Sequence, residues 1–572
     1  MPKTYPLTTV DAAWLRMEDP TNLMMVSGII TFKKMIDFDH LRAVIEHKLL
    51  TFDRFRMRVV QSRLPFAPSY WEADPTFNLN AHLHRVALPS PGDKAALQEM
   101  ASDLMSTPLD FSKPLWQFHL IENYGEGCAI MCRLHHCIAD GMALVFVLLS
   151  LTDMVPGVPP PTGNSPAATA AAGDESGNML NALVQQGAKT VGTVWQTTSK
   201  VASEGLEALV NPAHAMELAL KGTDTALAAG RLFLRSPDPK TLFKGELGVA
   251  KRAAWSNPLP LKDVKKIKNV TGGTVNDVLV SAMTGALRRY MLNKGANVEG
   301  LNFRAAVPVN LRTPEQMGEL GNKFGIVFLS LPVGIGDPLE RLHEVHKRMA
   351  ALKNSKEAPV ALGILSAMGM SPHELQGTLV NMFGSKTTAV MTNVPGPPMP
   401  LYLAGQKIEE LMFWVPQSGR VSLGISIISY ANRVHMGIAT DEGLVPDPDS
   451  IMTGFYEEFE ALLTLVREAE AVEAAEAAKT KMAEVAEVVE VVEVVEVVGG
   501  NGRCPPPRTM PGPHPKRPSM PQTGARWLTI LPHPPALKNR RKKKEGRKRN
   551  LQILPSFFLP SSFYPLPSSQ FK

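Results

Sequence analysis

The sequence predicts an α/β protein made of two mixed strand-and-helix units flanking a cleft. Three observations predict it. Strand-like apolar runs interleave with helical runs over residues 1–155, and again over 246–466. Between them, residues 156–178 (PGVPPPTGNSPAATAAAGDESGN) are Pro, Gly, Ala and Ser, the composition of a linker. Hydrophobic residues make up 44% of the 572, enough to bury a real core in each unit. Two units joined by a linker place a cleft between them.

The first unit opens with VSGIITF (Val26–Phe32), a strand candidate. DFDHLRAVIEHKLLTF has apolar residues at helical spacing, with Asp37 or Asp39 placed to cap it. GCAIMCRLHH (Gly127–His136) reads as a strand, and DGMALVFVLLSLTDM as a buried helix behind a short turn. Residues 179–245, grouped with the linker as a 156–245 segment, look helical and weakly amphipathic. In the second unit FRAAVPVNL, GIVFLSLPVG, TTAVMTNVPG, RVSLGISIISY and RVHMGIAT are strand candidates. TVNDVLVSAMTGALRRYML and DPDSIMTGFYEEFEALLTLVREAEA are helix candidates. Ala358–Gly384 is apolar but broken by Pro372 and Gly377, which fits a buried helical hairpin or helices that dip into a membrane surface. From 467 the character changes. EVAEVVEVVEVVEVV repeats every three residues, matching neither 3.6 nor 2, and Pro-rich and basic stretches follow. Residues 467–572 are expected to be a disordered low-complexity tail.

The net charge of +6 belongs to that tail. Residues 501–572 carry fifteen Lys and Arg against Glu545, a net of +14, which leaves −8 for the rest. A mildly acidic body argues against a nucleic-acid binder. The four cysteines, Cys128, Cys132, Cys137 and Cys504, form no CxxC pair, so neither a disulfide framework nor a zinc site is expected. Asp11, Arg16 and Glu18 interrupt the stretch a signal peptide would need, and no run of about 18 apolar residues exists. Neither a signal peptide nor a transmembrane helix is expected.

LHHCIADGMAL (Leu134–Leu144) is the candidate site. Adjacent side chains on a strand face opposite ways, so His135 and His136 divide between cleft and core. Asp140 stands where it could cap the following helix or pair with an arginine to hold the loop. An imidazole is the natural general base at neutral pH. No GxSxG elbow, no HExxH, no P-loop and no GxGxxG accompany it. The remaining task for such a ring is to activate a hydroxyl that belongs to a substrate.

His135-His136-Cys-Ile-Ala-Asp140-Gly141 matches HHxxxDG, the signature of the CoA-dependent acyltransferase superfamily. Further stretches follow in order: PLTTVDAAWLRMED at the start, PLW (Pro114–Trp116), Asn276-Asp277, VPVNLR (Val307–Arg312), LGNKFG (Leu320–Gly325) and TNVPGP (Thr392–Pro397). Together, over about residues 4–466, they resemble the bifunctional wax ester synthase/acyl-CoA:diacylglycerol acyltransferase family. The resemblance implies two chloramphenicol-acetyltransferase-like domains with the active site in a tunnel between them. It implies acyl-CoA as donor co-substrate, diacylglycerol or a long-chain alcohol as acceptor, and no metal or bound cofactor. His136 would be the general base, His135 its support, Asp140 structural, and Gly141 the residue permitting a tight turn. Asn276 would orient His136 or polarise the thioester oxygen, or else cap its helix, and Asp277 would cap or pair locally. Trp116, Asn310, Arg312 and Asn322 would shape the cleft, Trp116 alternatively serving as core. The expected place is the cytoplasm, peripheral on the inner face of a membrane or on lipid inclusions. A competing reading is a non-catalytic lipid-surface protein that keeps the fold, motivated by 358–384 and the basic tail. Another is acyl transfer to an amine, as in condensation domains, although no carrier domain accompanies the chain.

Overall fold

The computed structural model describes residues 4–499 apart from 62–68, 162–231, 233, 314–315, 317, 354, 356, 371–372 and 418–420. Residues 1–488 form one compact unit. A second unit covers 489–572, of which only the helical residues up to 499 are described. Most of the expected linker and helical segment at 156–245 lies outside the described residues.

Two mixed sheets organise the compact unit. The first has five strands in the order β9-β1-β4-β3-β2. These are β1 (Met25–Phe32), β2 (Leu83–Ala87), β3 (Trp116–Tyr124), β4 (Gly127–His135) and, from far along the chain, β9 (Glu410–Trp414). The second sheet has seven strands. Its path runs through β7 (Phe324–Leu331), β6 (Phe303–Asn310), β8 (Ala389–Pro395), β10 (Leu423–Tyr430), β11 (Arg433–Asp441) and β5 (Lys251–Trp255), with Leu259–Pro260 paired to β11. β6, β8 and β10 are parallel neighbours.

The helices are α1 (Thr9–Arg16), α2 (Phe38–His47), α3 (Lys94–Ser106), α4 (Gly141–Leu151), α5 (Leu261–Thr271), α6 (Val275–Asn293), α7 (Pro338–Lys353), α8 (Glu357–Met370), α9 (His373–Ser385) and α10 (Pro448–Gly499). Local chemistry fixes their starts. Asp37 caps α2 by accepting the His40 N–H at 2.7 Å. α4 is apolar all round because it is buried against the first sheet. Two large cores result, one around the first sheet and α4, the other around α6 and the second sheet. A third cluster joins α1, α8 and β7 through Trp14, Phe324, Phe328, Ile364 and Met368.

Two expectations are corrected. The chain does not divide cleanly at 246, because β9 leaves the second half and pairs antiparallel with β1, Glu410 opposite Thr31 and Trp414 opposite Ser27. Beyond Glu410, β9 carries Met412 and Trp414 on one face and Leu411 and Phe413 on the other, so it can close the first sheet while packing on β10 and β11 of the second. The tail does not begin as disorder at 467: α10 continues unbroken to Gly499. Ala, Glu, Lys and Met are strong helix formers, and Glu and Lys keep the exposed stretch at 471–483 soluble without a partner face. The structure divides the 358–384 stretch: α9 is exposed or half-buried along 377–383, and α8 is the buried part. α8 is buried on nearly every face, and Gly369 lets it approach α1 so closely that a Cβ would sit 1.7 Å from the Thr9 carbonyl oxygen.

Candidate active site

β4 ends at His135, and His136 is the first residue beyond it. The two rings diverge, as alternation requires. The His135 side chain is fully buried and turned inward. Its Nδ1 accepts the Cys137 N–H at 3.1 Å, its Nε2 lies 3.4 Å from Glu18 Oε2, and Phe111 meets it edge-on. That pattern leaves the proton on Nε2, toward the carboxylate.

The His136 ring lies flat on Trp14, with centroids 4.3 Å apart and 18° between planes. Phe324 closes in at 5.7 Å, tilted. Burial pushes the His136 pKa down to about 4, and the nearby Asp140 charge opposes this only in part. The ring is therefore neutral at pH 7 and able to take a proton. The Trp14 contact was not foreseen. Its signal was the pairing of Asp11 and Trp14, three residues apart on one helix face, in the PLTTVDAAWLRMED stretch.

Behind His136 the loop is held by a buried polar latch. Asp140 uses both oxygens: Oδ1 caps α4 by accepting the Ala143 N–H at 3.1 Å, and Oδ2 accepts the Lys323 N–H at 2.9 Å. Oδ2 also pairs with the buried Arg312, whose Nη2 donates to the Gly321 carbonyl at 2.6 Å. Both roles weighed for Asp140 are thus filled at once. The Asn322 amide donates to Asp11 Oδ1 and to the His136 carbonyl, each at 2.8 Å. Asp11 sits 3.1 Å from Arg54, which donates to the Ile138 carbonyl at 2.7 Å. Burial raises the Asp11 pKa, with Arg54 and Asn322 countering it. Asn310 Oδ1 accepts the Arg312 N–H at 3.2 Å and shapes the turn leading into that arginine.

The remaining residues singled out from the sequence fall into place differently. Gly141 is the first residue of α4 and has no positive φ, so the tight-turn role is corrected: nothing in the backbone there demands glycine. A Cβ at Gly141 would meet only Val394, at 3.5 Å. Asn276 does not cap α6, because Thr274 does, in a capping box with Asp277. The Asn276 amide is bonded instead to Asn393, the neighbour of Val394. Asp277 also accepts from His346 Nδ1 at 2.7 Å. Trp116 is a core residue, its ring stacked on His82 at 4.6 Å and its Nε1 donating to the Phe55 carbonyl at 2.9 Å. The structure brings together His135, His136, Asp140, Gly141, Asn310, Arg312 and Asn322. It leaves Trp116, Asn276 and Asp277 outside that cluster.

Beside the loop lies a cavity of about 130 Å³ between the first sheet, α2 and α4. Leu134 and Gly141, which bracket the histidine loop, both line it. From Gly141 the lining continues along α4 through Leu144, Leu148 and Leu151, about 15 Å at 1.5 Å per residue. Every lining residue is apolar. Among the described residues no group of three His, Cys, Asp or Glu side chains is placed to hold a metal ion.

Comparisons with known proteins point to one family. Residues 7–279 match the model of the wax ester synthase/diacylglycerol acyltransferase catalytic domain, and 320–463 match that family's C-terminal domain. The chain is similar to a probable diacylglycerol O-acyltransferase of Mycobacterium tuberculosis, with 27% identity across 80% of this chain and 96% of that one. It is also similar in fold to a wax ester synthase/diacylglycerol acyltransferase from Marinobacter aquaeolei, with TM-score 0.57 and 21% identity over 81% of this chain and all of that one. A condensation domain of the calcium-dependent antibiotic synthetase shares the fold at TM-score 0.50 and 14% identity, over 81% of this chain and 97% of that one. The catalytic-domain match, which contains the HHxxxDG loop, and the C-terminal match, which contains the LGNKFG segment that braces it, together place this chain in the wax ester synthase/diacylglycerol acyltransferase family.

Proposed function

We propose that the protein moves a long-chain acyl group from acyl-CoA to the hydroxyl of diacylglycerol or a long-chain alcohol, with His136 as general base. The observation that carries this is a neutral, buried imidazole flanked in sequence by Leu134 and Gly141, both lining an all-apolar cavity. His136 takes the acceptor's proton as its oxygen attacks the thioester carbonyl. The C–S bond then breaks, and the imidazolium returns the proton to the departing thiolate. The products are an ester and free CoA. The thioester supplies the driving force, so the step asks only for positioning and one proton relay, with no bound cofactor. The cavity along α4 takes the acyl chain, since an apolar wall of that length repays burial of methylene groups at about 0.8 kcal/mol each.

His135 supports the loop through Cys137 and Glu18 rather than reacting. Asp140, Arg312, Asn310 and Asn322 hold His136 in place from behind, and Gly141 keeps the cavity wall thin. Asn276 and Asn393 line up beside Val394, close enough to the cavity wall to help orient donor or acceptor. Acceptors of this kind reside in membranes and lipid inclusions, so the working protein sits at such a surface on the cytoplasmic side. Among the described residues no helix is long and apolar enough to cross a membrane.

The test is esterification of hexadecanol and of dioleoylglycerol from palmitoyl-CoA, by the purified protein and by His136→Ala. Loss of the base should lower the rate by on the order of 10²–10⁴. Equal rates for the two proteins would remove His136 from the mechanism. Product identity with the two acceptors offered together assigns the preferred one.

A further inference from the structure

A histidine that acts as a base must carry a positive charge part-way through the reaction, and a base of this kind usually has a carboxylate to offset that charge. The carboxylates around His136 are already engaged. Asp140, on its own loop, pairs with Arg312 and caps α4. Asp11, from α1, is bound by Arg54 and Asn322. Glu18 faces His135 instead. Lys323 presents its backbone N–H to Asp140 and turns its ammonium to Glu319. Among the described residues, His136 Nδ1 is buried without a hydrogen-bond partner. What covers the ring is the face of Trp14, stacked at 4.3 Å and 5% exposed.

We infer that Trp14 is a positioning residue whose indole face stabilises the imidazolium that forms on His136 during acyl transfer. The inference rests on the reading of His136 as the general base. A cation over an aromatic face is attracted by the ring quadrupole, most strongly for tryptophan and most of all when water is excluded. Both conditions hold here. A second observation points the same way. Trp14 Nε1 is buried and has no partner among the described residues. With no hydrogen bond from its N–H, the indole acts on His136 through its face alone. Trp14 is held from outside by α8, where Ser366 bonds to Thr9 and Gly369 accepts from Arg16, so the stacked ring has little room to slide. Because no bond is made or broken at Trp14, its role acts wholly through His136.

The experiment compares Trp14→Leu and Trp14→Phe with wild type, using palmitoyl-CoA and hexadecanol. Leucine keeps the site apolar but removes the aromatic face. Trp14→Leu should lower kcat roughly tenfold or more with little change in KM, and Trp14→Phe should stay within about threefold of wild type. Trp14→Leu added to His136→Ala should cause no further loss, because there is no imidazolium left to stabilise. Equal losses in the Leu and Phe variants, or a Trp14→Leu loss that persists without His136, would overturn the inference. Full activity in His136→Ala alone would instead overturn the base assignment, which separates the two failures. If Trp14→Leu does not fold, the wild-type chain made with increasingly fluorinated tryptophan decides. Its kcat should fall with each added fluorine, and the trend should vanish in Trp14→Phe. A flat response in wild type would also overturn the inference.

Discussion

Helices α4 and α6 each begin beside a buried aspartate and pack against one of the two sheets, yet they end up with opposite surroundings. Asp140 at the start of α4 reaches across to Arg312 and to the Lys323 N–H, more than 170 residues away in sequence. Asp277 at the start of α6 stays close to home, closing a capping box with Thr274 and bonding to His346 on the neighbouring helix α7. The face of α4 toward its sheet leaves a cavity, whereas α6 is packed solid by Val278, Leu279, Met283 and Leu287 against the second sheet. Gly285 of α6 even yields its side-chain space to the buried Arg341–Glu458 pair. The same local device, an acidic residue in a helix's first turns, serves one half as a latch on a reactive loop and the other half as a simple stop.

The largest contrast should come from cutting each aspartate. Asp140→Ala strands the buried Arg312 charge as well as removing a cap, which should cost about 3–5 kcal/mol of stability. Asp277→Ala removes mainly a capping interaction, about 1 kcal/mol. Urea unfolding of the two variants measures the difference, and equal losses would erase the distinction between latch and stop. Next, Leu148→Trp fills the α4 cavity. It should lower kcat/KM for long-chain acyl-CoA by roughly tenfold while sparing short-chain donors, since each lost methylene contact is worth about 0.8 kcal/mol. Met283→Trp on α6, at a fully buried core position, should overpack the core, costing about 1–3 kcal/mol of stability with chain-length preference unchanged.

The pH response comes next. His136 is held neutral down to about 4, so a plot of kcat/KM against pH should show its acid limb near there and stay level from 5 to 8 with respect to this group. Because the folded pKa lies below the unfolded value near 6.5, His136 contributes its full stability above 6.5, and that contribution drains as pH falls toward 4. A limb near 6.5 would mean that the ring is solvated in the working protein. The smallest effect should be Gly141→Ala. With no positive φ and 3.5 Å to Val394, the variant should keep its rate within about twofold.

Much of this was readable in advance where the signal is local. A cap at Asp37 or Asp39, a cap or arginine pair at Asp140, a strand running into the histidines and the buried α4 follow from side-chain chemistry and spacing within a dozen residues, the structure choosing Asp37 and ending the strand at His135. The divergence of the two histidines follows from strand alternation alone. The partners of Asp140 and Asn322 were within reach only as members of a resembling motif set, because nothing local links residue 140 to 312. The placement of β9 had no local signal, since it depends on segments brought together by the whole fold, and the Trp14 stack left only the spacing of Asp11 and Trp14 on one helix face. α4 and α8 are both largely apolar by sequence, and only packing shows that one borders a cavity while the other fills its site. The three-residue valine repeat misled because its period suits no buried face, while the Ala-, Glu- and Lys-rich stretch before it favours a helix that needs none.

β9 has a mechanical consequence. Its five residues are hydrogen-bonded into the first sheet while the chain on either side of it belongs to the second. The two halves are therefore stitched rather than hinged. Prising them apart would require a strand to leave its ladder, an event that belongs to partial unfolding and not to a catalytic cycle. Folding carries the same signature: Glu410 meets Thr31 only after about 380 intervening residues have been made, so the first sheet stays unfinished until most of the second half has emerged. A chain cleaved between the halves should remain a single particle, held by that one strand.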